Sequence, residues 1–288
     1  MPSGIIIIDK PAEWTSMDVC AKLRGILKER RVGHGGTLDP MATGVLPVFV
    51  GTATKAVEFA EKSDKEYIAG LRLGVVTNTQ DSTGQVLETR PVTADREALA
   101  AVLPRFTGPI EQVPPMFSAI KIQGKRLYEL ARKGQEVERR PRLVTIYALE
   151  VLEQTAPDRF LLRVRCSKGT YVRTLCHEIG QALGCGGCMD ELRRTMAAGF
   201  AIEQAVTLEQ VRERGESLLL PVDRLFEEYP AFRLVSPRQE RCCRNGNPVP
   251  VKDLAVGTYR VYGQAGEFLC LSQYENGRLR SIKNFFGS

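Results

Sequence analysis

Two periodicities run side by side through this chain, and their mixture limits the architectures open to it. Tyr67, Ala69, Leu71 and Leu73 alternate with Ile68, Gly70 and Arg72, and Phe160, Leu162, Val164 and Cys166 alternate likewise with Leu161, Arg163 and Arg165. A repeat of two predicts strands. By contrast Val19, Cys20, Leu23, Ile26 and Leu27 recur with helical spacing, and so do Val172, Leu175, Ile179 and Leu183. Residues 4–8 read as a buried strand. Strand and helix signals are interspersed but never settle into a regular βαβ spacing. This predicts an α+β fold, a sheet with helices on its faces, and not a doubly wound one. No GxGxxG or GxxxxGK[ST] string occurs, so no nucleotide cradle is implied.

The boundaries follow from local signals. Ser16 is the expected N-cap of the first helix, and the basic residues 28–31 suit its negative pole. Residues 32–47, rich in Gly and Pro, are expected to be loop, and residues 171–183 a helix. His177 is expected to be exposed on that helix. A hinge is expected around residues 226–235, near Pro230 and Pro237. Beyond it lie short strand candidates at 259–262, 267–271 and 279–285, with Asn276-Gly277 as a hairpin turn. A closing β module of this size must lean on its neighbour for stability.

Bulk composition narrows the function classes. Hydrophobic residues at 43% and charged residues at 26% suit a globular chain with a real core. No apolar run approaches the ~18–20 residues needed to cross a bilayer. The four apolar residues 5–8 are too few for a signal-peptide core, so a cytoplasmic protein is expected. Of the eight cysteines, only Cys185 and Cys188 form a CxxC pair. A four-ligand zinc site usually needs a second pair, and the adjacent Cys242 and Cys243 are poorly spaced to supply it, so reduced thiols are expected and no metal. The net charge of +6 is concentrated: residues 121–142 hold eight basic side chains, Lys121, Lys125, Arg126, Arg132, Lys133, Arg139, Arg140 and Arg142, against three glutamates. A strip of this kind is either a solvated face or an arm for a polyanion, whose counterions it releases.

The stretch GHGGTLDPMATGVLP, residues 33–47, carries the most chemistry. Its glycines let the backbone approach a ligand closely. Pro40 restricts Asp39 to an extended conformation and so fixes where its carboxylate points. His34, one of only two histidines, lies five residues upstream.

This string resembles the catalytic motif of the TruB family of tRNA pseudouridine-55 synthases. GIIIIDKPAEWTS, KEYIAGLRLG, TNTQDSTG, PPMFSAIKIQGKRLYELARKG, CSKGTYVRTL and LRRT follow the family pattern in order, so the resemblance covers residues 4 to about 225. It implies a pseudouridine-synthase fold, with a mixed, largely antiparallel sheet flanked by helices. The catalytic domain would be residues 1–229, with an RNA-clamping insertion at about 115–143. Residues 230–288, which contain NGNPV, would form a small PUA-like RNA-binding module.

The resemblance also assigns roles. Asp39 would be the carboxylate that initiates breaking of the uridine glycosidic bond, by attack at C1′, attack at C6 or removal of the 2′ proton. Burial penalises a charged carboxylate, and a guanidinium beside it offsets that; Arg173 would be this partner. Tyr67 would be the active-site tyrosine, Tyr171 and Leu192 would line the uracil pocket, and Lys168 and Lys10 would bind substrate. His34 would fill the space left by the flipped base. Lys121, Lys125, Arg126, Arg132 and Lys133 would belong to a clamp on the tRNA T arm. Uracil is detached at N1, turned and rejoined through C5, so atoms and oxidation state are conserved and no cofactor is needed. The clamp implies an enzyme that reads tRNA itself, as a monomer with no obligatory protein partner or guide RNA. The rival readings are a non-catalytic tRNA-binding or folding protein and a guide-dependent synthase subunit.

Overall fold

The computed structural model describes residues 2–118, 120–122 and 124–286, and of Arg126 only the backbone. The strands are β1 (Gly4–Lys10), β2 (Val32–His34), β3 (Thr43–Val50), β4 (Lys65–Leu73), β5 (Val75–Thr77), β6 (Val86–Thr89), β7 (Gly108–Gln112), β8 (Lys121–Ile122), β9 (Lys125–Arg126), β10 (Arg142–Ala156), β11 (Arg159–Cys166), β12 (Gly187–Ala197), β13 (Phe200–Ala201), β14 (Ala231–Arg233), β15 (Val249–Pro250), β16 (Gly257–Tyr262), β17 (Phe268–Glu275) and β18 (Arg278–Asn284). The helices are α1 (Ser16–Leu27), α2 (Val57–Lys62), α3 (Arg96–Val102), α4 (Leu127–Ala131), α5 (Val172–Ala182), α6 (Leu208–Arg214) and α7 (Pro237–Arg244).

One nine-stranded sheet organises residues 4–201, in the order β1-β3-β12-β4-β11-β10-β7, with β2 beside β3 and β13 beside β12. Its pairings are antiparallel except β12 with β3. That parallel step brings β12 across from a distant part of the chain and places Arg193 and Arg194 opposite Thr43 and Gly44. The sheet is thus mixed and largely antiparallel, as expected, with α1 and α5 packed on its faces through their apolar stripes.

Two boundary expectations need correction. Thr15, not Ser16, caps α1: its side chain accepts the Asp18 N–H while Asp18 accepts the Thr15 N–H, a reciprocal box. Ser16 turns its hydroxyl inward instead, taking the Leu38 N–H at 2.9 Å. Residues 32–47 are not all loop, since β2 and the first part of β3 lie within them. Glycine and proline hide these strands because the ladder tolerates them here: the Pro47 carbonyl still accepts the Gly35 N–H at 2.8 Å. The true loop is residues 35–42.

A second sheet, β14-β16-β17-β18-β15, follows. The expected hinge is partly structured, because β14 pairs in parallel with β16. Asn276 and Gly277 both have positive φ, 51° and 74°, between the paired Glu275 and Arg278. This is the two-residue hairpin geometry that Asn-Gly favours. The sheet leans on the larger one through rings: Phe226 lies 5.1 Å from Phe59, 6.1 Å from Phe268 and 5.7 Å from Phe285.

Candidate active site

The loop at residues 35–42 is held at nearly every residue. Arg194, on β12 and buried, donates from Nε to the Val45 carbonyl at 2.7 Å and from its terminal nitrogens towards the Gly36 and Thr37 carbonyls at 3.1 and 3.5 Å. Glu13 N–H reaches the Pro40 carbonyl at 2.8 Å, and Ala42 N–H the Asp39 carbonyl at 3.0 Å. Gly44 must be glycine: its φ is +97°, and a Cβ would lie 2.2 Å from the Arg194 carbonyl oxygen.

Lys10 belongs to this scaffold. It is fully buried and donates to the carbonyls of Pro11, Trp14 and Pro40 at 2.8, 2.6 and 3.1 Å. Its ammonium anchors the loop from below. Burial brings its pKa down to about 8, with Asp39 opposing the shift and Arg194 adding to it.

Asp39 stands at the lip of the loop with its side chain 38% exposed. The Arg173 guanidinium, only 7% exposed, lies 3.4 Å from its Oδ2. Arg173 sits in the first turn of α5 and has two further partners, the Phe117 carbonyl at 2.7 Å and Asp81 Oδ2 at 3.4 Å. A buried guanidinium without such partners would cost several kcal/mol. Asp81 is in turn fixed through Oδ1 by the Thr79 hydroxyl and by the Thr83 N–H and hydroxyl, at 2.8, 3.0 and 2.6 Å. The result is a chain, Asp39–Arg173–Asp81, open to solvent only at Asp39. Asp81 was not singled out by sequence; its only signal was its place in the TNTQDSTG turn.

Tyr67, from β4, and Leu192, from β12, pack in one cluster with Leu38 and Ala42 of the loop. Burial raises the pKa of the Tyr67 phenol, with the Arg194 guanidinium working against it, so it stays protonated at neutral pH. Tyr171, half-buried at the N-cap of α5, lies 5.7 Å from the Arg173 guanidinium, measured to its ring centroid. The structure therefore sets Asp39 beside Arg173 and Arg173 beside Tyr171, and packs Tyr67 and Leu192 against the loop that carries Asp39.

His34 ends β2, with Nδ1 buried and without a hydrogen-bond partner among the described residues. Burial, then Arg194, lower its pKa, so a neutral imidazole is presented at pH 7. Lys168 is exposed in the turn between β11 and α5. His177 is half-buried, not exposed, and burial lowers its pKa. Lys121 and Lys125 are exposed on the β8–β9 hairpin, and Arg132 and Lys133 are exposed just beyond α4. The Arg126 side chain lies outside the described residues.

An aspartate paired with a buried guanidinium, on this mixed sheet and beside a basic arm, is the arrangement that the family resemblance leads one to expect of a pseudouridylate synthase. Solved structures share the fold. A chain of a Cbf5–Nop10–Gar1 complex superposes with a TM-score of 0.75 at 27% identity, covering 98% of this chain and 85% of that one. A chain of an H/ACA RNP bound to a substrate RNA containing 2′-deoxyuridine gives 0.74 at 24% identity, covering 99% and 85%.

The chain belongs to the TruB family: the model of the family's pseudouridylate synthase N-terminal domain matches residues 24–172, and that of the tRNA pseudouridylate synthase B C-terminal domain matches residues 173–227. Proteins named tRNA pseudouridine synthase B resemble it over nearly their whole lengths. The one from Cupriavidus metallidurans is 43% identical, covering 96% of this chain and 92% of that protein. Those from Stutzerimonas stutzeri and Clostridium kluyveri are 45% and 41% identical, covering 96% and 98% of this chain and 93% and 99% of theirs. The family's division at residue 172 falls inside the nine-stranded sheet, because β12 comes after it.

Proposed function

We propose that this chain converts uridine 55 in the T loop of tRNA to pseudouridine, working in the cytoplasm as a monomer without guide RNA. The observation that carries the reading is the Asp39–Arg173 pair, with the carboxylate half-open to solvent and the guanidinium buried behind it. A base taken out of its stack needs an aromatic or apolar wall and groups that read its edges; Tyr67, Tyr171 and Leu192 supply these. Asp39 initiates breaking of the N1–C1′ bond. Arg173, held from behind by Asp81 and Phe117, balances and orients it. The freed uracil turns within the pocket, C5 bonds to C1′, the C5 proton leaves to solvent and N1 takes one up, so the product has the composition of the substrate.

His34 occupies the gap that the flipped base leaves in the RNA, a role suited to a flat neutral ring. Lys121, Lys125, Arg126, Arg132 and Lys133 hold the T arm, with Lys168 near its phosphates. Residues 1–229 form the catalytic unit, residues about 115–143 its clamp, and residues 230–288 a PUA-like module that adds RNA contact. The names of the relatives support tRNA as substrate, and the likeness of residues 33–47 to the family motif supports position 55.

The test is release of tritium from C5-labelled uridine in tRNA transcripts, with the modified position mapped. The wild-type chain alone is expected to release it from position 55. Asp39→Asn is expected to release none while binding tRNA within about threefold of wild type, because affinity is spread over many phosphate contacts. Equal release by both proteins would refute the role of Asp39. Because a structural relative sits in a multi-protein complex, dependence on an added guide RNA or protein would favour the guide-dependent reading.

A further inference from the structure

We infer that Gln112 is a positioning residue for the isomerisation: its carboxamide sets the backbone of Tyr171 and thereby the aim of Arg173 at Asp39. The inference rests on the proposed reading of Asp39 and Arg173. Gln112 is the last residue of β7, and its side chain is buried. Its Oε1 accepts the Tyr171 N–H at 2.8 Å, and its Nε2 donates to the Tyr171 carbonyl at 3.1 Å. Only one orientation of the amide satisfies both, so the partners fix it. This is the double bond exchange that two strand residues make across a ladder, with a side chain standing in for one of them.

The local chain needs such a clasp. Residues 167–170 form a turn containing Gly169 at φ +81°, and the Tyr171 side chain makes no capping bond to the free N–H groups of α5. Upstream the turn is tied to β10, through Ser167 N–H to the Thr145 carbonyl at 2.8 Å and Thr145 N–H to the Ser167 hydroxyl at 2.9 Å. Downstream it is tied by Gln112. The Tyr171 carbonyl also accepts the Leu175 N–H at 3.1 Å, the first bond of α5. Gln112 therefore decides where the helix begins. Tyr171 and, two residues later, Arg173 move together if that start moves.

Two variants test this. Gln112→Met fills the space without either bond. Gln112→Glu keeps the shape: its acid form can accept and donate as the amide does, whereas its ionised form lacks the donor and sets a negative oxygen against the Tyr171 carbonyl. The charged groups around the site are Arg142, opposite Gln112 in the β7–β10 ladder, with Arg173 and Asp39 near Tyr171. Burial and the carbonyl favour the acid form, and the arginines oppose them.

The measurement is kcat and KM by tritium release from tRNA transcripts, over about pH 5.5–8.5, each divided by the wild-type value, beside melting temperatures. Gln112→Met is expected to lower kcat about 10- to 100-fold at every pH, with KM within about threefold because phosphate contacts dominate binding. Gln112→Glu is expected to match it at the alkaline end and to regain at least about fivefold towards acid. The inference is overturned if Gln112→Met keeps near-wild-type kcat with only a lower melting temperature, or if Gln112→Glu tracks it at every pH. Should Gln112→Glu fail to fold, the kcat of Gln112→Met decides alone. A wild-type chain that releases no tritium would overturn the proposed function itself, which separates the two failures.

Discussion

Three buried cations, Lys10, Lys65 and Arg194, surround the loop that carries Asp39, and each is met by carbonyl oxygens: Pro11, Trp14 and Pro40 for Lys10, Ala60, Glu61 and Ser63 for Lys65, and Val45, Gly36 and Thr37 for Arg194. Lys10 has a folded pKa of about 8 against an ordinary value of 10.5. Below about 8 both folded and unfolded chains hold the proton; between the two values only the unfolded chain does. On this group alone stability therefore rises with pH across that window, while the loop loses one of its N–H donors. We expect kcat/KM, which reports free-enzyme ionisations, to fall as pH rises through about 8 with no matching fall in melting temperature. Lys10→Met should be slower throughout and lack this limb. A wild-type kcat/KM flat to about pH 9.5 would refute the loop-anchor role. At this scale the resemblance pointed to Asp39, Tyr67 and Arg173 in three separate motifs, and the first and last of these do pair. Asp81, Gln112 and Arg194 were not, because their roles depend on partners 59 to 158 residues away. The burial of Lys10 was hidden as well, because nothing in GIIIIDKP tells a buried ammonium from an exposed one.

Elements were legible where one face is dry. The alternation in β4 and β11 and the stripe of α5 survive intact because each packs one face on a core. The strands β2 and β3 were missed because Gly44 meets a close approach of the Arg194 backbone, not a propensity, and because the ladder accommodates Pro47. The start of α1 was misplaced by one residue, since Thr15 and Ser16 are equally good caps by type and only the Asp18 bond chooses between them. For the arm formed by β8, β9 and α4, the charge pattern leads to a testable outcome. Neutralising Lys125, Arg126, Arg132 and Lys133 together should weaken tRNA binding and flatten the slope of log K against log salt by about three. An unchanged slope would show that the arm does not meet phosphates.

At the scale of the molecule, the parallel step between β12 and β3 closes the site, since it sets Arg194 beneath the loop, while the β12–β4 pairing brings Leu192 into the cluster of Tyr67. No local signal announces such a pairing between segments about 150 residues apart. The second sheet is joined to the first by the rings around Phe226 and by Lys283 with Glu58, 2.8 Å apart. The whole arrangement makes sense if Asp39 meets an everted base. A crystal structure with a T-arm stem-loop carrying 5-fluorouridine at position 55 tests this most directly. That base is expected out of the RNA stack, walled by Tyr67, Tyr171 and Leu192, with the Asp39 carboxylate against the nucleotide and Arg173 still beside it. A base left stacked in its loop, or an Asp39 turned to solvent away from Arg173, would contradict it.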